Sequence, residues 1–267
     1  MDMPKIIYGT AWKKLDTCRL VTLALENGFK GIDTACQPKH YHEPGVGEAL
    51  VNFNRKDIFL QTKFTSFNGQ DPATCPYDKS LPLEQQIITS FDTSLKNLKT
   101  DYIDSLVLHG PLKSHAENMV LWRQFEKFVV ERKQVRMLGI SNFYDLKSIE
   151  RLYNDATIKP RVIQNRFYAD TDYDKDIRQF CKEKDIIYQS FWTLSANPHV
   201  LENANVRKAA EKRGVPATSL FFAYLHQTGV MVPLTGTKNV QHMKDDLLAV
   251  ELTLSEEEMN IFKRLVG

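Results

Sequence analysis

The sequence predicts a single closed (β/α)8 TIM barrel, an α/β fold that occupies residues 1–267 as one domain. Three observations predict it. Short apolar or β-branched runs alternate with longer segments of helical period, and eight such runs can be counted. No low-complexity stretch or Pro/Gly-rich linker interrupts the alternation. Asp33, Lys63 and His109 each stand where one of the runs ends, and in a barrel function gathers at the C-terminal ends of strands. An open doubly wound sheet is the main rival. Dinucleotide-binding sheets of that kind usually carry G-x-G-x-x-G after the first strand, and no such run occurs here. A length rule would divide 267 residues into one or two domains, but one barrel commonly needs about 250.

The elements follow in order. Lys5–Tyr8 is the first strand, and Thr17–Asn27 is a helix that Gly28 is placed to end through a positive φ. Lys30–Asp33 is the second strand, followed by a polar loop carrying Tyr41. Ile58–Thr62 is the third, and behind it lies a long loop, Phe64–Pro82, rich in Pro, Asp, Ser and Gly. Leu83–Leu98 puts Leu83, Ile87, Ile88, Phe91, Leu95 and Leu98 on one helical face, as packing on a sheet requires. Tyr102–Leu108 is the fourth strand; only Pro111–Asn118 then precedes a helix beginning near Met119. Val135–Ile140, Arg161–Gln164, Ile186–Ser190 and Val230–Leu234 complete the set. The last helix opens with Ser255 and Glu258 at capping-box spacing, and Met259, Phe262 and Leu265 face the core.

Composition excludes several functions. Hydrophobic content is 42% and charged content 25%, ordinary for a globular protein with a sizeable core. A net charge of +2 supplies no dense basic field for nucleic acid or a membrane surface. No apolar run approaches the roughly 20 residues of a membrane span. Met1-Asp2-Met3-Pro4-Lys5 lacks the basic-then-apolar pattern of a secretory signal. Cys18, Cys36, Cys75 and Cys181 show no C-x-x-C spacing and read as reduced thiols of a cytoplasmic protein. His40-Tyr41-His42 has no third ligand at suitable spacing, so no metal is expected.

Taken singly, Asp33 reads as a helix cap, His109 as a packed or surface histidine and Lys63 as a solvated lysine. Together with Tyr41 at one barrel mouth they form a proton-donating device. At these positions the sequence resembles the aldo-keto reductase family. Gly28-Phe29-Lys30-Gly31-Ile32-Asp33-Thr34-Ala35 with Tyr41, Glu43 and Val46-Gly47 is similar to its first signature. Lys63 in Leu60-Gln61-Thr62-Lys63, His109 in Leu108-His109-Gly110-Pro111, and Gly139-Ile140-Ser141-Asn142-Phe143 match three more. Order and spacing extend from Gly9-Thr10 to Leu254-Ser255. The resemblance implies reduction of a small-molecule aldehyde or ketone by a nicotinamide hydride, in a monomer or weak dimer.

Carbonyl reduction also needs a proton for oxygen. Tyrosine, with an ordinary pKa of about 10, is protonated but a weak acid. Lys63 is expected to lower that value, Asp33 to hold Lys63 charged, and His109 to orient the carbonyl. The family places its Tyr five residues after the Asp, whereas Tyr41 lies eight after Asp33; ungapped alignment back from Val46-Gly47 puts His40 there instead. A phenol suits the acid role better than an imidazole beside a lysine, so Tyr41 is chosen and His40 is the alternative.

For the cofactor, the resemblance implies that Ser141, Asn142 and Gln164 bind the nicotinamide carboxamide and that Phe191 stacks on the ring. Val232–Asn239 resembles the adenosine-phosphate clamp, with Thr235, Thr237, Lys238, His242 and Asp246 as candidate contacts. His242, Asp245 and Asp246 replace the Arg, Glu and Asn common in the family, and Lys238 compensates, so NADP is expected over NAD.

An open pocket walled by Trp12, Phe64 and Trp192 is expected, because the loop after His109 is short and no C-terminal substrate loop follows the final helix. The segment before the first strand is too short for the hairpin that often plugs the barrel bottom. Two other functions stay open: a non-catalytic cofactor-binding barrel, and a Schiff-base lyase using Lys63, which a paired carboxylate disfavours.

Overall fold

The computed structural model describes residues 3–267; the expectation for Met1 and Asp2 lies outside the described residues. Eight parallel strands close into a barrel in sequence order. They are β1 (Ile7–Gly9), β2 (Gly31–Asp33), β3 (Phe59–Phe64), β4 (Ile103–Leu108), β5 (Val135–Ser141), β6 (Val162–Arg166), β7 (Ile187–Phe191) and β8 (Met231–Thr235). The circle closes where Ile7 and Tyr8 of β1 pair with Leu234 and Thr235 of β8. Among the described residues no helix is long and apolar enough to cross a membrane.

The helices lie outside. They are α1 (Thr17–Glu26), α2 (Glu43–Leu50), α3 (Leu83–Leu98), α4 (His115–Val130), α5 (Leu146–Asp155), α6 (Lys175–Lys184), α7 (Pro198–Glu202), α8 (Ala204–Arg213), α9 (Ala217–Gln227), α10 (Val240–Leu248) and α11 (Glu256–Val266). Gly28 ends α1 at φ 110°. The Ser255–Glu258 capping box is formed at the start of α11. Ser114 caps α4, so that helix begins four residues before the expected Met119 and shortens the loop after β4 still further.

Six of the strands run beyond their expected C-terminal ends. Four of the expected ends stop just before a polar residue (Lys63, Ser141, Asn165 and Thr235), but a barrel interior accepts polar side chains that bond one another. Alternation along β3 turns Gln61 and Lys63 inward and Thr62 and Phe64 outward. Thr62 accordingly donates to Glu43 of α2 at 2.6 Å. Inside, Gln61 Nε2 donates to Gln189 Oε1 and Gln164 Nε2 donates to the same oxygen, at 2.7 and 2.8 Å. Beneath this polar layer the walls close tightly: a Cβ on Gly139 would sit 2.8 Å from Val162 Cβ, so only glycine fits.

The long loop 64–82 does not hang free. Phe64 stacks on Tyr77 with centroids 5.7 Å apart, and Tyr77 Oη donates to the Thr65 carbonyl. Gln70 reaches the Cys36 carbonyl, and Gln37 reaches that of Gly69. The loop therefore buttresses the segment between β2 and α2, which carries Tyr41.

Candidate active site

A cavity of about 890 Å³ opens at the C-terminal ends of the strands. That is near the upper end of the roughly 300–1,000 Å³ usual for small-molecule sites. At one end its lining includes Asp33, Tyr41 and His109; at the other, Thr235, Thr237, His242, Asp245 and Asp246. Ser141, Asn142, Gln164 and Phe191 lie on the lining of the same cavity.

Asp33, at the end of β2, receives Lys63 Nζ on both carboxylate oxygens at 2.6 Å. Gln61 and Gln164 also donate to its Oδ1, at 2.7 and 3.1 Å. The third ammonium proton of Lys63 goes to the Thr34 carbonyl at 2.8 Å. An ammonium has three donors, so all are spent. Lys63 is fully enclosed and lies behind the cavity wall rather than on it. A substrate carbonyl has no path to its nitrogen, which counts against the Schiff-base alternative. Burial pulls the Lys63 pKa down, and the charge and hydrogen bonds of Asp33 pull it back up.

Tyr41 lies beside this pair, with Lys63 Nζ 5.2 Å from its ring centroid and the His109 ring 5.8 Å away, edge to face. The expected lowering of the phenol by Lys63 is not found. Burial, and then the Asp33 charge, raise the Tyr41 pKa. His40 takes a different place: its ring stacks on Trp12 at 3.9 Å, and its carbonyl accepts from the Trp12 amide. Of the two, Tyr41 packs against Lys63 and His109.

His109 follows β4 directly. Thr65 Oγ1 lies 2.6 Å from its Nδ1, and Asn142 Nδ2 donates to its carbonyl at 2.7 Å. Burial, and then the Lys63 charge, push its pKa well below the ordinary histidine value, which keeps the imidazole neutral. Gln164 spends its amide donors on Asp33 and Gln189, which leaves Oε1 to accept from a ligand. Asn142 adopts φ 58°, a left-handed conformation uncommon outside glycine.

Among the expected substrate walls, Trp12 and Trp192 line the cavity and are 58% and 51% exposed. Phe64 does not. It points outward, is buried and packs on Tyr77. Lys238 is exposed and lies off the lining, while Thr235, Thr237, His242 and Asp246 are on it. Asp246 is buried and accepts from Thr235 Oγ1 at 2.6 Å; burial raises its pKa to about 6. His42, in the histidine pair flanking Tyr41, accepts from Gly45 as the cap of α2. Among the described residues no three His, Cys, Asp or Glu side chains are grouped to hold a metal.

Residues 5–266 match the family model described as the Aldo/keto reductase family. The chain belongs to the aldo-keto reductase family. Among curated aldo-keto reductase relatives, the chain is 28% identical over 241 residues to a glyoxal reductase of Bacillus subtilis, covering 90% of this chain and 80% of that one. It is 27% identical over 291 residues to a D-galacturonate reductase of Hypocrea jecorina, covering 98% and 86%. A crystal structure of an aldo/keto reductase from Brucella melitensis superimposes with TM-score 0.83 at 26% identity, covering 98% of this chain and 95% of that one. An NAD(P)H-dependent carbonyl reductase built on this barrel therefore agrees with fold, family and relatives.

The structure of this aldo-keto reductase also brings forward residues that the sequence analysis passed over. Lys13 is buried and donates to the Gly236 carbonyl at 2.8 Å; burial, and then the Lys238 charge, lower its pKa to about 8. Thr65 holds His109, and Gln61 and Gln189 hold Asp33 and Gln164 in place. Arg166 lines the cavity. A lysine directly after Trp12, and an arginine two positions beyond Gln164 on the same strand face, were the signals available.

Proposed function

We propose that this chain, acting as one barrel domain over residues 1–267, reduces an aldehyde or ketone to an alcohol with Tyr41 as proton donor. The observation that carries the proposal is that Tyr41, His109 and the Lys63–Asp33 pair meet at one end of a cavity also lined by Ser141, Asn142, Gln164 and Phe191. The residues fit a nicotinamide dinucleotide: Gln164 presents an unused Oε1, and the same cavity continues along Thr235, Thr237, His242 and Asp246 of the β8–α10 segment. Ser141, Asn142 and Gln164 would hold the carboxamide and Phe191 the ring, with Thr235, Thr237, Lys238, His242 and Asp246 toward the adenosine end. When bound, the reduced nicotinamide supplies hydride to the carbonyl carbon.

The protein's own part is the oxygen. With Thr65 Oγ1 donating to Nδ1, His109 carries its ring proton on Nε2 and donates a hydrogen bond to the carbonyl oxygen. Tyr41 Oη transfers its proton to that oxygen as negative charge develops there. The raised phenol pKa keeps Tyr41 protonated until then. Lys63, its donors committed to Asp33 and the Thr34 carbonyl, packs its ammonium on the Tyr41 ring and so positions the phenol.

NADPH is the proposed cofactor, supported by Lys238 beside the clamp. NADH is the second reading, favoured by the Asp245 and Asp246 carboxylates on the lining, which repel a 2′-phosphate and accept ribose hydroxyls. The rim, formed by the half-exposed Trp12 and Trp192, supports acceptance of varied carbonyl compounds. Four free cysteines support a reducing compartment such as the cytoplasm, and we propose a monomer or weak dimer. The test is oxidation of NADPH by an aromatic aldehyde, with NADH in parallel. Tyr41→Phe should lower kcat by about 100- to 10,000-fold, the range for losing a general acid. A Tyr41→Phe enzyme of undiminished rate, or loss of activity only in His40→Ala, would refute Tyr41 as the donor.

A further inference from the structure

We propose that Arg166 is the substrate-selecting residue of this cavity, binding a carboxylate carried by the carbonyl compound. The inference rests on the reductase reading above and narrows its substrate class. Arg166 is the only lysine or arginine on the cavity lining among the described residues. The acids there are otherwise placed: Asp33 is committed to Lys63, and Asp245 and Asp246 belong to α10 beyond β8. Among the described residues no carboxylate forms a salt bridge with the Arg166 guanidinium, and no protein acceptor hydrogen-bonds it. Its Nε is out of solvent and has no partner.

Two aromatic rings hold the group without using its donors. The guanidinium carbon lies 4.0 Å from the Trp192 ring centroid and 5.1 Å from that of Tyr168. Trp192 adopts φ 58°, a conformation that a bulky residue rarely takes, where its ring meets Arg166. The Arg166 amide donates to Tyr144 Oη, and Tyr144 Oη donates to Asn142. Two rings and a backbone hydrogen bond therefore hold the residue, while the five N–H donors of its guanidinium stay without protein partners. A planar fork of that kind matches a carboxylate bidentately.

Placement selects the substrate over the cofactor phosphates. Arg166 pairs in register with Phe191 and sits two residues beyond Gln164, both nicotinamide-side positions. The phosphate-side loop Thr235–Lys238 follows β8, two strands away in the barrel order. An anion at Arg166 is thus on the strand whose Gln164 reaches Asp33 at 3.1 Å, in register with Phe191.

The test compares para-carboxybenzaldehyde with the neutral para-methylbenzaldehyde in wild type, Arg166→Gln and Arg166→Lys. Wild type should favour the charged aldehyde in kcat/KM. Arg166→Gln should lose about 10- to 100-fold for it, mainly through KM, with the neutral aldehyde changed by less than about 3-fold. Arg166→Lys should keep part of the preference, and it serves if Arg166→Gln fails to fold. NADPH affinity, measured by fluorescence titration, should be unchanged. Equal losses for both aldehydes, no preference in wild type, or a matching loss of NADPH affinity would each overturn the proposal. If wild type reduces neither aldehyde, the reductase reading fails, and quenching of tryptophan fluorescence by benzoate against benzamide still decides. Benzoate-selective quenching lost in Arg166→Gln supports an anion site; identical titrations in both proteins refute it.

Discussion

Asp246→Asn should stabilise this protein, and by an amount that grows with pH. Asp246 is 2% exposed, and burial raises its carboxyl pKa from 3.8 to about 6, against the lowering effect of the Thr235 hydroxyl. The native state therefore holds this proton more tightly than the unfolded chain does. Where the raised group is an acid, stability is fully present below the unfolded pKa and is lost as pH rises through the folded one. With values of 3.8 and about 6, linkage gives a cost of about 1.6 kcal/mol at about pH 5 and about 3 kcal/mol at about pH 8. Asparagine has nearly the same shape, can still accept from Thr235 Oγ1 and carries no charge, so the variant escapes the cost. Urea unfolding of both proteins at the two pH values measures the difference directly. The gain from the substitution should increase by about 1.4 kcal/mol between them. A gain of equal size at both pH values, or no gain at either, would show that Asp246 does not titrate in that window.

Lys63→Met should destabilise by about 3–5 kcal/mol, because it leaves Asp33 charged and enclosed with only Gln61 and Gln164 as donors. The double variant Lys63→Met/Asp33→Asn should recover most of this loss in urea unfolding; a double variant no more stable than the single one would contradict the pairing. Phe64→Ala should cost about 3–5 kcal/mol of stability through loss of core packing on Tyr77. Its kcat/KM for aldehydes should stay within about 2-fold of wild type, and a selective kinetic loss with unchanged stability would return Phe64 to the pocket wall.

All eight strands could be read from the sequence, because runs such as Ile103–Leu108 are mostly apolar and end abruptly. Their C-terminal ends were less legible. Lys63 and Arg166 look like loop residues in isolation, and only the closed barrel supplies the Asp33 partner that lets Lys63 sit within a strand. Phe64 was misplaced for the same reason: with β3 ended at Thr62, strand parity could not assign it outward. The choice between His40 and Tyr41 rested on side-chain chemistry. Their positions depend on long-range contacts, Trp12 with His40 and Gln37 with Gly69, that no local pattern encodes. Arg166 was missed because its meaning lies in absent partners, which only three dimensions reveal.

The join between β1 and β8 has a consequence for how the molecule is made. Only two residue pairs connect these strands, and two long side chains tie them further: Tyr8 Oη donates to the Thr237 carbonyl and Lys13 Nζ to that of Gly236. The same two carbonyls shape the loop assigned to the cofactor's phosphate end. A nascent chain thus has no competent adenosine site until its last strand returns to its first. On the cofactor assignment proposed above, ring closure builds the adenosine end, and a dinucleotide held there would act as a clasp on the whole circle.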